Sequence, residues 1–163
     1  MEYFGEYRSL EHTCKMIRKQ VIDSMPYIGE YIPEYINSPE QLFTYLKNVV
    51  TYVDDDELHT ERYGYHAPDV EFIQTAQTFF KNGAKGDCDD FTVVVLAACE
   101  WLNFPSNFVC LTGNFEDAPT HIYSGTWWVN WLGNKKPIYL DLTNPVYNMQ
   151  RDYKYLQTLP FKI

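Results

Sequence analysis

Apolar residues follow one rhythm in the first half of the chain and another in the second. Leu10, Cys14, Ile17, Val21 and Met25 recur at three- and four-residue steps, which predicts an amphipathic helix over 8–25. Pro26 and Gly29 stop it. Ser38-Pro39-Glu40-Gln41 reads as a helix start, with Ser38 as cap, Pro39 in the first turn and Gln41 closing a capping box. Leu42, Phe43, Leu46, Val49 and Val50 form its apolar face, and it ends near "YVDDDE". Residues 54–70 are polar and contain Pro and Gly, so a loop is expected. "DVEFIQTAQTFFKNG" predicts a further helix, with Val70, Ile73, Gln77 and Phe80 on one face and Asn82-Gly83 as its stop.

Beyond residue 105 the pattern becomes that of strands. "SNFVCLTG", "THIYSGTWWVNWL" and "KPIYLDLT" are rich in β-branched and aromatic residues between turn formers. Gly133-Asn134 supplies a hairpin signal between the last two. The Tyr- and Pro-rich tail, 146–163, shows no firm period. Helices followed by strands indicate an α+β fold, an antiparallel sheet packed on helices. With 163 residues, a single domain over 1–163 is expected.

The passage "KGDCDDFTVVVLAACEWL", 85–102, joins the two halves. Its valines favour a strand locally, but its length and alanines favour a helix. Being apolar on all sides, such a helix belongs in the centre of the molecule. It should start at or near Cys88: Gly86 permits a tight turn, Asp87 can cap, and Asp89 and Asp90 suit the first turn. Cys88 then reads either as a small filler in a well-capped helix or as a nucleophile.

A nucleophilic thiol needs a base and a group to orient that base. His121 stands at the front of a strand. Asp141 lies in the next one, where alternation sets Leu140 and Leu142 on one face and Asp141 on the other. If the strands are hairpin partners, His121 and Asp141 share one end of the ladder. The alternative for Asp141 is a turn former before "LTNP".

The order "GDCDDFT" entering a helix, "THIY", then "YLDLTNP" resembles the transglutaminase-like branch of the papain-type cysteine enzymes. The likeness covers roughly 38–145, with an N-terminal helical extension (1–37) and the tail outside it. It implies a buried central helix on an antiparallel sheet, with Cys88 as nucleophile, His121 as base and Asp141 as orienter. For the oxyanion, the backbone N–H of Cys88 and the side chain of Gln77 are candidates, with Gln74 and Asn82 as alternatives. Trp127, beside Trp128 and Trp131, could line an acyl-binding groove, with ordinary packing as the plainer role.

The helix N-terminus favours a thiolate by about 0.3 to 1 kcal/mol, and solvent-facing Asp87, Asp89 and Asp90 would oppose it by similar amounts. An imidazolium at about 4 Å and an effective dielectric near 20 is worth about 4 kcal/mol. Cys88 is therefore expected to be largely ionised beside His121. Three functions fit: a thiol hydrolase (peptidase or amidase) acting on a protein or peptide substrate through an acyl-enzyme; a non-enzymatic component of a larger assembly, such as a phage structural protein, that retains the fold; and acyl transfer to amines, that is, cross-linking.

Charge narrows the remaining classes. The net charge of −9 argues against nucleic-acid binding and against docking on anionic membranes. No apolar run approaches the about 18 residues of a membrane span, and "MEYFGEYRSL" has acidic residues where a secretion signal needs basic ones. A cytoplasmic or virion-associated protein with free thiols at Cys14, Cys88, Cys99 and Cys110 is expected. The acidic runs 54–57 and 87–90 lack EF-hand spacing. They read as solvated loops that could hold Ca²⁺ only if they met, so no metal and no cofactor is expected.

Overall fold

In the computed structural model, which describes residues 3–6, 9–66, 70–114 and 119–163, the chain forms these elements. They are β1 (Tyr3–Glu6), α1 (Leu10–Ser24), a 3-10 turn (Ile28–Glu30), α2 (Pro39–Val49), β2 (Thr51–Tyr52), α3 (Asp55–Tyr63) and β3 (Val70–Ile73). There follow α4 (Ala76–Lys81), β4 (Lys85–Gly86), α5 (Cys88–Trp101), β5 (Asn107–Gly113), β6 (His121–Val129), β7 (Lys135–Leu140) and β8 (Tyr155–Pro160).

The last four strands make an antiparallel sheet in the order β7-β6-β5-β8. Helix α5 packs on one face of it and is buried from Asp89 to Cys99. One apolar cluster joins Ile17 and Val21 of α1, Leu42 and Leu46 of α2, Phe79 of α4, the apolar residues of α5, and Leu111, Ile122, Leu140 and Phe161 of the sheet region. The N-terminal helix and the tail therefore belong to the same core as the central helix. The other sheet face carries Phe108, Cys110 and Tyr123, covered by Trp127, Tyr139 and Tyr153. Among the described residues no helix is long and apolar enough to cross a membrane.

The first helices form where the periodicity places them. Ser9 caps α1 by accepting from His12 N at 3.3 Å. Ser38 accepts from Gln41 N at 3.3 Å, and Gln41 Oε1 accepts from Asn37 N at 2.9 Å. The capping box thus closes one residue further upstream than expected.

Three expectations need correction. The segment expected as a loop at 54–70 contains a helix, α3. Its first turn is acidic and its last contains Arg62, which suits the helix dipole. Gly64, at φ 77°, ends it in the left-handed conformation. Leu58 packs with Val53 and Phe72; His59 is buried against Tyr63 and Tyr65. Residues 67–69 lie outside the described residues.

The helix expected over 70–82 is instead a strand, β3, followed by the short α4. Tertiary partners take the backbone groups that a helix would have paired. Gln20 Nε2 donates to Ile73 O at 3.0 Å, Ala76 N donates to Ser24 Oγ at 2.8 Å, and Gln74 N donates to Asp90 Oδ1 at 2.7 Å. The tail, which lacks a period, contributes β8, whose register against β5 runs from Phe108↔Pro160 to Gly113↔Tyr155.

Candidate active site

The start of α5 is fixed by its approach. β2 and β4 pair in parallel, and Val53 N donates to Gly86 O at 2.9 Å. A Cβ on Gly86 would overlap the Asp90 carboxylate, so only glycine lets the chain pass here. Asp90 is fully buried, and Gln74 clamps it: the backbone N–H donates to Oδ1 and Nε2 to Oδ2, each at 2.7 Å. Gln74 Nε2 also reaches Lys85 O at 2.9 Å, and its Oε1 accepts from Arg62 Nη2 at 2.6 Å. Asp87 caps the helix by accepting from Asp89 N at 3.2 Å. Cys88 is thereby held in the first helical position, where its own N–H has no partner within the helix.

His121 opens β6, while Asp141 lies just past the end of β7 and not inside the strand as expected; the two meet beyond the last pair of the β6–β7 ladder. Ser124 pairs with Leu140, so Asp141 falls opposite Tyr123, diagonal to His121. Leu140, Leu142 and Ile122 point into the core against α5, while Asp141 Oδ2 lies 2.8 Å from His121 Nε2. Asp141 also accepts from Thr143 N at 3.0 Å and Thr143 Oγ1 at 2.7 Å through Oδ1, and from Asn144 Nδ2 at 3.1 Å through Oδ2. Asn144 is anchored in turn by Arg151 Nε at 2.7 Å. Burial works to raise the Asp141 carboxyl, but the His121 bond and charge and the Thr143 bonds outweigh it and hold it below its ordinary value. An ionised carboxylate only accepts, so Nε2 carries the proton and Nδ1 keeps the lone pair. The turn-former alternative for Asp141 also describes what is seen, since Asn144 N donates to Asp141 O at 3.1 Å.

Cys88 and His121 open onto one cavity of about 320 Å³, lined also by Thr13, Glu71, Asp87, Asp89 and Ile122. The Cys88 thiol is pushed well above its ordinary value, first by burial and then by the Asp87 carboxylate. The Ile122 backbone N–H pulls the other way; Glu71 and Asp141 add to the rise. This corrects the expectation of a largely ionised thiol, which treated the flanking carboxylates as solvent-facing. Asp89 and Asp90 are buried, not solvent-facing, and the carboxylate that acts most on the sulfur is Asp87.

The two acidic runs meet, contrary to the reading of solvated loops. One ligand atom from each of Asp55, Asp87, Asp89 and Asp90 lies within 4.8 Å of all the others. Two carboxylate charges at that distance repel by about 3.5 kcal/mol at an effective dielectric near 20. Burial, then Asp87 and Asp90, push the Asp55 carboxyl up to about 9, against the pull of the Phe72 backbone N–H. Asp89 and Asp90 are also raised, with burial the leading cause for each.

Two sequence candidates sit elsewhere. Gln77 does not line the Cys88 cavity: its Nε2 donates to Asp23 O at 3.4 Å, near the end of α1. Gln74, weighed as an alternative, is spent on Asp90. Trp127 lines a separate cavity of about 740 Å³ with Phe108 and Lys135, and packs at 5.9 Å between ring centroids on Phe108. Glu71, Thr143 and Asn144 were not singled out from the sequence. The Asp-x-Thr-Asn spacing of a side-chain-capped turn is a signal for the last two. Glu71 has none, because its approach depends on how β3 is placed.

No family model matches the chain, and no curated protein matches it. Among solved structures, a protein from Cytophaga hutchinsonii described as a "Putative Cysteine Protease" aligns at 17% identity with a TM-score of 0.43. The alignment covers 81% of this chain and 38% of that one.

Proposed function

We propose that the chain is a thiol hydrolase, cleaving peptide or amide bonds through Cys88, His121 and Asp141. The observation that supports this reading most is an imidazole oriented by a buried carboxylate at 2.8 Å, on the same cavity as a cysteine at a helix N-terminus. His121 Nδ1 takes the thiol proton. The sulfur attacks the substrate carbonyl carbon, and the oxygen charge is met by the Cys88 N–H. The imidazolium returns its proton to the leaving amine, giving the acyl-enzyme. Water, deprotonated by His121, then attacks the acyl carbon, and the thiol and a carboxylic acid are released. A protein or peptide is the expected substrate.

The raised Cys88 thiol favours a second reading, a retained fold serving in an assembly without catalysis. Mass spectrometry after exposure to activated esters and peptide substrates separates the two. The hydrolase reading expects an acyl adduct on Cys88 that decays in water, and its loss in Cys88→Ala and His121→Ala. No adduct on Cys88 in a folded protein, with hydrolysis unchanged in Cys88→Ala, would leave only the assembly role.

A further inference from the structure

We propose that the cavity at the far end of α5 binds a small aromatic anion that carries an N–H donor. The cavity holds about 740 Å³, a volume suited to a small organic ligand, and Glu100, Asn107, Phe108, Trp127, Lys135 and Lys162 are among its walls. Glu100 lies in the last turn of α5 and Cys88 in the first, so about 18 Å of helix separates this cavity from the thiol. The walls are tied to one another by backbone hydrogen bonds. Phe161 N donates to Asn107 O at 2.9 Å, and Trp127 N donates to Ser106 O at 3.1 Å.

Three features of the walls set the ligand's chemistry. Trp127 offers a flat apolar surface, packed at 5.9 Å between ring centroids on Phe108, on which an aromatic ring can stack. Lys135 Nζ stands 5.6 Å from the centre of the Trp127 ring, so a cation and an aromatic surface open on the same space, and Lys162 adds a second cation. Among the described residues neither lysine forms an ion pair, although the chain carries a net charge of −9. An anionic group would gain charge-assisted hydrogen bonds from both. The third feature is Asn107, which is only 4% exposed. Its Nδ2 donates to Glu100 Oε1 at 2.7 Å, while its Oδ1 is buried and meets no donor. An amide oxygen in that state is costly, and an N–H is what it lacks. The ligand's donor therefore belongs at Asn107 and Glu100, and its anion at the lysines. Nucleoside monophosphates and indole carboxylates share this combination of flat ring, N–H and anion.

The site stands apart from the hydrolase reading, because its test measures binding and not turnover. The full chain is titrated by calorimetry with two probes of this chemistry, indole-3-acetate and adenosine 5′-monophosphate. One saturable site is expected for at least one of them, with a dissociation constant below about 1 mM, and the tighter probe identifies the source of the ring and the anion. Removing the N–H, in 1-methylindole-3-acetate or N6,N6-dimethyladenosine monophosphate, should weaken binding at least about tenfold. Removing the anion, in 3-methylindole or adenosine, should do the same. Lys135→Glu and Lys162→Glu should each weaken the tighter probe by about as much, while Lys81→Glu on α4 should leave it unchanged. Both lysines are exposed, so these variants should fold, and circular dichroism checks that they do. The proposal is overturned if neither probe saturates up to about 5 mM, if binding survives the double substitution of Lys135 and Lys162, or if the ligands without the N–H or the anion bind as tightly as the probes.

Discussion

Thr143 holds Asp141 by two hydrogen bonds, its backbone N–H and its hydroxyl both donating to Oδ1, at 3.0 and 2.7 Å. Only the second can be removed by substitution. Thr143→Val should lower the rate of the proposed hydrolysis about tenfold, the worth of one hydrogen bond to a charged acceptor. The fold should persist, since the backbone bond and Asn144 remain. Asp141→Asn should cost far more, on the order of a thousandfold, because an amide can force the wrong imidazole tautomer. Steady-state kinetics on the two variants check the order; equal losses would contradict it.

Glu71 and Asp87 both oppose ionisation of the Cys88 thiol. Glu71→Gln removes one of those charges, so the iodoacetamide labelling rate of Cys88 should rise at neutral pH and its inflection should move downward. Labelling followed by peptide mapping, over a pH series, reads this directly. An inflection that does not move would show that Glu71 lies too far from the sulfur to act on it.

The buried acidic cluster gives stability a definite pH dependence. Asp55, raised to about 9, binds its proton more tightly folded than unfolded, where an aspartate titrates near about 3.9. Its contribution to stability is full below about pH 4 and is lost as the pH rises through about 9. Asp89, Asp90 and Glu71 are raised as well and act with the same sign. Asp141, which is lowered, acts in the opposite sense, but only in strong acid. The melting temperature should therefore fall from about pH 5 to about pH 9, and Asp55→Asn should flatten the slope. A melting temperature that climbs over that range would contradict the electrostatics described here.

Gly86→Ala should destabilise by about 3 kcal/mol, since the added carbon meets the carboxylate of a clamped, buried Asp90. Urea denaturation measures it. A neutral effect would mean that Asp90 can move, and so that the Gln74 clamp is weak.

Phe161 brings the tail into the main core at 8% exposure. Phe161→Ala should cost about 3 kcal/mol in the same assay, although the sequence around it shows no period. A loss below about 1 kcal/mol would mean that the tail packs only loosely.

The elements legible in the sequence are those whose own residues supply the reason for the structure. α1, α2 and α5 have apolar faces long enough to be buried and polar caps at their starts, and β5, β6 and β7 are rich in β-branched and aromatic residues between punctuating turns. The places where reading failed share one cause. The segment 70–82 has a helical spacing, but Gln20, Ser24 and Asp90 capture the backbone groups of Ile73, Ala76 and Gln74 from 16 or more positions away in the chain. β8 exists because β5 offers an unpaired edge. In both cases the stabilising partner lies outside the local window.

The candidate site divides along the same line. From the sequence alone came a cysteine at the tip of a buried helix, followed by a histidine at the front of one strand and an aspartate at the end of the next, because helix period and strand alternation are local properties. Only the tertiary structure decided the charge around that cysteine. It brought Asp55 and Glu71 up against Asp87 and Asp89 and took several of these carboxylates out of water. Distance and dielectric set the strength of an electrostatic interaction, and neither is written in the order of residues.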